Sequence, residues 1–255
     1  MAKIFGKTEE VKEEFKGFFD QNDTADGFEG INSETMAIPW LKIAQTLSPA
    51  MKENKPEYIE GLKVGDFYNS VTKEIYGSEV QMVVGKFDRG YVEWLPKRKG
   101  FVASHTVEEA EEIATDHTFG KWKIGENILQ ENYVYFVILL GHENDGVMIM
   151  SLSSTQIKKA KAWNKQLTTY IMKNGEKALP YYLKWRINTV EEHKEDNDWY
   201  GIAINGQGLI TDESLYLAVK DERKLIEHKR VDYAQIDDTS SKVMNAESED
   251  GDVDY

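Results

Sequence analysis

"NYVYFVILLGHENDGVMIMSLS", Asn132 to Ser153, decides how this chain folds. Its apolar run, Tyr133 to Leu140, is eight residues long, whereas a membrane-crossing helix needs about 20. Both apolar halves read as strands, and the Asp145-Gly146 pair in the intervening "ENDG" suits the tight turn of a hairpin. The chain is therefore expected to be built around paired strands.

Upstream lie further strand-like stretches separated by turn residues: "DFYNSVT", "SEVQMVVGKF", "GYVEWLP" and "GFVAS". Thr106 and Glu109 have the spacing of a capping box and open a short acidic helix, "VEEAEEIA". Nearer the N-terminus, Thr8 is placed to cap a helix carrying Val11, Phe15, Phe18 and Phe19 on one side, followed by a polar loop. A second helix is expected after Pro39, through "WLKIAQTL". Downstream, Ser153 or Ser154 is placed to cap a longer helix, "TQIKKAKAWNKQLTTYIMK". The strands "YYLKWRINTV" and "WYGIAING" follow, joined by an acidic loop "EEHKEDND", and apolar periodicity ends near Tyr233. The fold class is mainly β with added helices, α+β. It divides into an N-terminal helix and loop (1–37), a main domain (38–233) and a disordered acidic tail (234–255).

With 255 residues, 40% of them hydrophobic, the chain can bury a sizeable core. Cysteine is absent, which excludes disulfides and thiolate metal sites and fits a reducing cytoplasm. The charged start "MAKIFGKTEEVKEEF" has no apolar region of a signal peptide, and no membrane association is expected. The formal charge of -14 argues against polyanion partners, but it conceals an asymmetry. Between Ser151 and Val190 there are eight basic residues against Glu176 alone, a net of +7. From Ala234 onward there are seven acids against Lys242, a net of -6.

Catalytic chemistry is hard to find. No phosphate-binding glycine loop occurs, and His105, His117, His142, His193 and His228 lack the spacing of a helical metal site. "HKEDND" lacks the glycine and terminal glutamate of a calcium loop. No cofactor, metal or enzymatic role is expected.

Binding chemistry is better represented. Single-stranded nucleic acid is held by cations for phosphates and flat rings for bases, each stacked base contributing about 1–3 kcal/mol. "GYVEWLPKRKGF" offers Tyr91, Trp94, Lys97, Arg98, Lys99 and Phe101, while "PYYLKWR" offers Tyr182, Lys184 and Arg186 on one strand face, with Tyr181, Leu183 and Trp185 on the other. Lys158, Lys159, Lys161 and Lys165 add a broad basic surface on the long helix. Taken singly, each ring reads more readily as a core residue and each helix lysine as a solvated one; the signal is their clustering in an acidic chain.

Three stretches carry a resemblance: "IPWLKIAQTLSP" (Ile38–Pro49), "PEYIEGLKVGDFYNSVT" (Pro56–Thr72) and "YVEWLPKRKGFVASH" (Tyr91–His105). Over about residues 38 to 160 the chain resembles a family of tailed-phage and prophage proteins assigned as single-stranded-DNA-binding proteins. That resemblance implies an elaborated OB-type barrel that coats single strands during phage replication or recombination, with Tyr91, Trp94 and Lys97 to Lys99 in the aromatic and basic strand-turn region. It also implies a disordered acidic C-terminus.

Here the C-terminus carries Glu247, Glu249, Asp250, Asp252 and Asp254, closed by Tyr255 where such proteins usually end in Phe. A tethered polyanion competes for a basic groove at an effective concentration of about millimolar for a short flexible tether. Once displaced by DNA, it is expected to recruit phage or host replication and recombination proteins. The runner-up is a phage structural or protein-interaction role without nucleic-acid binding, and a third reading is a metal-dependent nuclease. A homodimer is left open.

Overall fold

A computed structural model describes residues 38–118, 122–194 and 197–226. The expected helix carrying Val11 to Phe19 and the acidic tail lie outside the described residues. In chain order the strands are β1 (Leu41–Ile43), β2 (Phe67–Asn69), β3 (Ile75–Gly77), β4 (Glu79–Trp94), β5 (Phe101–Thr106), β6 (Trp122–Ile124), β7 (Asn127–Leu139), β8 (Val147–Ser153), β9 (Leu183–Lys194) and β10 (Asn197–Leu209). The helices are α1 (Val107–Ile113), α2 (Ile157–Thr169) and α3 (Glu213–Ile226). The protein is thus mainly β with three described helices, and none of these is long and apolar enough to cross a membrane.

β7 lies at the centre because its apolar run serves two cores at once. Tyr133, Tyr135, Val137 and Leu139 enter one, while Val134, Phe136 and Ile138 enter the other. A strand covered on both faces reads as a continuous apolar stretch, which is what "YVYFVILL" is. The turn after it matches the sequence: Gly146 takes φ 67°, and β8 returns antiparallel from Val147.

On its other side β7 pairs with β4, which is one 16-residue strand rather than the two expected. Asp88 and Arg89 suggest a turn locally, yet they pair with Val134 and Tyr133. The break comes earlier, as a bulge between Val84 and Lys86 that leaves Gly85 without a partner on β7. An extra residue moves the following side chains to the opposite face. Val80, Met82 and Val84 accordingly face the first core, whereas Val92 and Trp94 face the second.

β7 is flanked outside by β8 over one half and by β6 over the other. β4 is flanked by β9 along Glu79–Val83 and by β5 along Gly90–Trp94, and β10 lies outside β9. One end of this seven-stranded sheet therefore runs β8-β7-β4-β9-β10. Its outer strands β8 and β10 do not pair with each other, so the strands do not close into a barrel of the elaborated OB type expected, and the sheet stays open. A smaller sheet, β1-β2-β3, stands beside it.

The open side is occupied by the segment expected to be the second helix. Trp40 bridges Ile149 of β8 in parallel, and Leu41–Ile43 pairs with β2. Trp40, Leu41 and Ala44 have spacing that suggests one helical face, but each belongs to a different core. Burial in three directions selects extended backbone, and tertiary packing overrides local preference.

α2 sets Ala160, Trp163 and Leu167 into the first core, where Trp163 stacks on Tyr135 at 4.4 Å. The Tyr135 hydroxyl donates to Asn164 Oδ1 at 2.8 Å, and burial pushes that phenol well up from its ordinary pKa. α2 begins after a short turn, Ser154–Gln156, and neither Ser153 nor Gln156 caps it with its side chain. α1 does carry the expected capping box: Thr106 Oγ1 accepts from the Glu109 amide, and the Glu109 carboxylate accepts from the Thr106 amide. The expected acidic loop is largely strand, since Glu191 and Glu192 pair with Tyr200 and Trp199 across the β9–β10 hairpin. Tyr181 and Tyr182 fall in a short turn before β9 instead of within it.

Candidate nucleic-acid interface

The gap between β8 and β10 forms a cleft of about 150 Å³. Its lining includes Trp40, Lys42 and Gln45 from the β1 segment, Ser151 to Gln156 at the end of β8, and Trp199 to Ile202 on β10. Arg98, from the turn after β4, completes the lining. Cation, indole, phenol and hydroxyl groups therefore converge in a space that no sequence neighbour brings together.

The outer edge of β10 is held by side chains in place of a further strand. Gln45 Nε2 donates to the Tyr200 carbonyl at 2.8 Å, while its Oε1 accepts from the Tyr200 amide at 2.9 Å. Two residues on, the Ile202 amide donates to Gln156 Oε1 at 3.3 Å, and Lys159 Nζ donates to the Ile202 carbonyl at 2.6 Å. These bonds satisfy backbone groups that an edge strand otherwise exposes.

Glu192 gathers the same elements. Its carboxylate pairs with Lys159 and accepts from Gln156 Nε2 at 2.9 Å and from Trp199 Nε1 at 2.8 Å. The Trp199 indole is thus fixed in orientation while its ring remains half-buried at the cleft. Gly201 leaves room for this arrangement: a Cβ would come within 2.3 Å of Glu192 Oε1 and 2.6 Å of Gln156 Nε2, so those side-chain ends would have to shift. Gly65 plays a matching part under Tyr200: at φ +89°, a Cβ there would lie 2.7 Å from the tyrosine ring.

The residues singled out from sequence are dispersed. Tyr91 is buried and stacks on Trp122 at 4.9 Å, with burial first and the Glu131 charge second in raising its phenol pKa. Trp94 is 2% exposed in the second core, edge-on to the half-exposed Phe101 at 6.2 Å. Lys97 and Arg98 hold φ of 56° and 50°, left-handed conformations that cost non-glycine residues about 1–3 kcal/mol each. They turn the chain so that Arg98 reaches the cleft, with exposed Lys97 and Lys99 on either side in sequence.

On α2, Lys158, Lys161 and Lys165 are exposed, and spacings of three and four place them on one stripe leading away from the cleft. Lys159 leaves that stripe for Glu192. Lys184 is the partner of Val83, which faces the second core, so Lys184 and Arg186 stand on the opposite side of the sheet from α2. Arg186 lies 3.5 Å from Glu79. Tyr182 packs edge-on against Tyr181 at 4.9 Å and Tyr216 at 5.8 Å. Glu247, Glu249, Asp250, Asp252, Asp254 and Tyr255 are outside the described residues.

Sequence inspection passed over Lys42, Gln45, Gln156, Glu192, Trp199 and Tyr200. The available signal was the Trp199-Tyr200 pair directly before Gly201, partly concealed by the acidic run preceding it.

No curated protein and no solved structure matches this chain. A family model described as "Pam3 phage gp34-like protein" matches residues 10–232, which includes every strand and helix described above. The chain belongs to the Pam3 phage gp34-like family, and is a phage-related protein.

Proposed function

We propose that this protein binds single-stranded DNA during phage replication or recombination, with the strand entering the β8–β10 cleft. The carrying observation is the meeting of Trp199 and Tyr200 with Arg98 and Lys42 in that cleft. Rings that accept bases and cations that accept phosphates form a general solution for single strands, and every base has a face to stack. The Lys97–Lys99 turn on one side and the Lys158, Lys161 and Lys165 stripe on the other extend the cationic path over several phosphates. On this view the OB-type barrel that the resemblance implies is replaced by an open sheet whose gap is lined by the β1 segment. No bond-breaking step is assigned, and the protein acts by binding; the acidic tail limits weak DNA and recruits phage or host proteins.

The test is fluorescence anisotropy of a labelled dT oligonucleotide over a salt series. Affinity should fall as salt rises, with a log–log slope of about -0.7 per phosphate neutralised. Trp199→Ala should weaken binding by about 1–3 kcal/mol if the ring stacks on a base. A double substitution of Lys97 and Lys99 to Ala should flatten the salt slope, and a chain ending at Tyr233 should bind more tightly. Absence of binding at low salt would reject the proposal and favour a structural or protein-interaction role in the phage.

A further inference from the structure

A second convergence lies at the β7–β8 turn. Glu74, just before β3, places Oε1 3.8 Å from His142 Nδ1, and the same nitrogen lies 3.9 Å from Asp145 Oδ2. One ligand atom from each of the three residues falls within 4.8 Å of the others. Behind them the Tyr76 hydroxyl donates to Asp145 Oδ2 at 2.7 Å and accepts from Asn69 Nδ2 at 3.4 Å. The Tyr76 ring also meets the His142 ring edge-on at 4.8 Å.

The charge balance of this cluster is unusual. The Asp145 side chain is 2% exposed and that of Glu74 20%. Among the described residues, the ion-pair partner of both carboxylates is the single imidazole of His142. A buried carboxylate is costly unless a cation and hydrogen bonds compensate it, and one phenol hydrogen bond supplies only part of that. Two carboxylates and a shared imidazole form a nitrogen-and-oxygen donor set suited to a divalent transition ion. Ligands around zinc lie about 2.0–2.2 Å from the metal, so binding one ion shortens the 3.8 and 3.9 Å separations from His142 by a few tenths of an ångström and draws the two carboxylates, now within 4.8 Å of each other, together by more.

We propose that Glu74, His142 and Asp145 bind one divalent ion, zinc in preference to magnesium, with Tyr76 orienting Asp145 from behind. Such an ion joins the turn entering β3 to the β7–β8 turn and so fastens the small sheet to the large one. Tyr76 and His142 also line a cleft of about 190 Å³ with Glu79 and Gln81, which gives water or a small ligand access to the remaining coordination positions. The proposal is independent of DNA binding, since none of these residues lines the β8–β10 cleft.

The test is calorimetric titration of zinc into the full chain after chelator treatment, repeated with magnesium. One zinc per chain is expected, with magnesium at least 100-fold weaker. His142→Ala and Glu74→Gln should each weaken zinc at least 100-fold, and Tyr76→Phe about tenfold as an outer-shell change. His193→Ala should leave binding unchanged, although His193 faces Asp198 in another imidazole–carboxylate pair. Should His142→Ala fail to fold, Glu74→Gln decides the matter, read by loss of the visible absorption bands of bound cobalt. Absence of stoichiometric zinc binding, or zinc held equally by wild type and Glu74→Gln, would overturn the proposal.

Discussion

The β4–β7 seam and the β10 edge solve the same problem in different ways. At the seam, backbone pairs with backbone from Met82 to Trp94, broken only by the bulge at Gly85, and apolar side chains of the two cores pack on either side of the more exposed middle of β4. At the edge, the amides and carbonyls of Tyr200 and Ile202 are satisfied by Gln45, Gln156 and Lys159. The seam depends on volume and pattern, and many apolar residues would serve. The edge depends on a few particular polar atoms at fixed distances, which leaves room for a cleft where a closed barrel would have none.

The largest expected effect comes from breaking the seam. Phe136 is fully buried, and Phe136→Ala should cost about 3–5 kcal/mol, measured as a lowered urea midpoint. A cost below about 1 kcal/mol would show that the second core is not tightly packed. Next is Glu192→Ala, which removes the acceptor shared by Lys159, Gln156 and Trp199. With both side chains of the ion pair partly exposed, the cost should be about 2 kcal/mol. It should also release the Trp199 indole, seen as a shift in tryptophan emission.

Gln45→Ala is smaller and more local. It removes two hydrogen bonds and should cost about 1–2 kcal/mol. Its sharper readout is amide exchange: Tyr200 should exchange faster, while Val137 at the seam should be unchanged. Equal acceleration at both would mean that edge and seam open together.

The smallest effect at neutral pH becomes visible only in alkali. Burial raises the pKa of Tyr135, so the folded protein keeps a proton that the unfolded chain releases near pH 10. Its contribution to stability is therefore complete below about pH 10 and declines as pH rises beyond it. Urea midpoints at pH 8 and pH 11 should differ less for Tyr135→Phe than for wild type. An identical decline in the variant would assign the alkaline loss to other groups.

Much of the framework was legible because its signals are local. The apolar run of β7, the Asp145-Gly146 turn, the Thr106–Glu109 capping box and the existence of α2 each depend on residues a few positions apart. Local signals also misled where packing overruled them. Asp88 and Arg89 look like a turn but continue β4, and Trp40 to Ala44 look helical but serve three cores.

By itself the sequence determined the mainly β character, the central hairpin and the phage kinship, because periodicity, turn chemistry and motif wording are carried by neighbours along the chain. Only the tertiary structure decided that the sheet stays open and that Arg98 and Trp199 share a cleft, while Lys184 and Arg186 stand on the other side of the sheet from α2. It alone set Glu74 beside His142 and Asp145. Such pairings join residues as far apart as Gln45 and Tyr200, 155 positions in sequence, and depend on strand register, bulge position and which core each side chain enters.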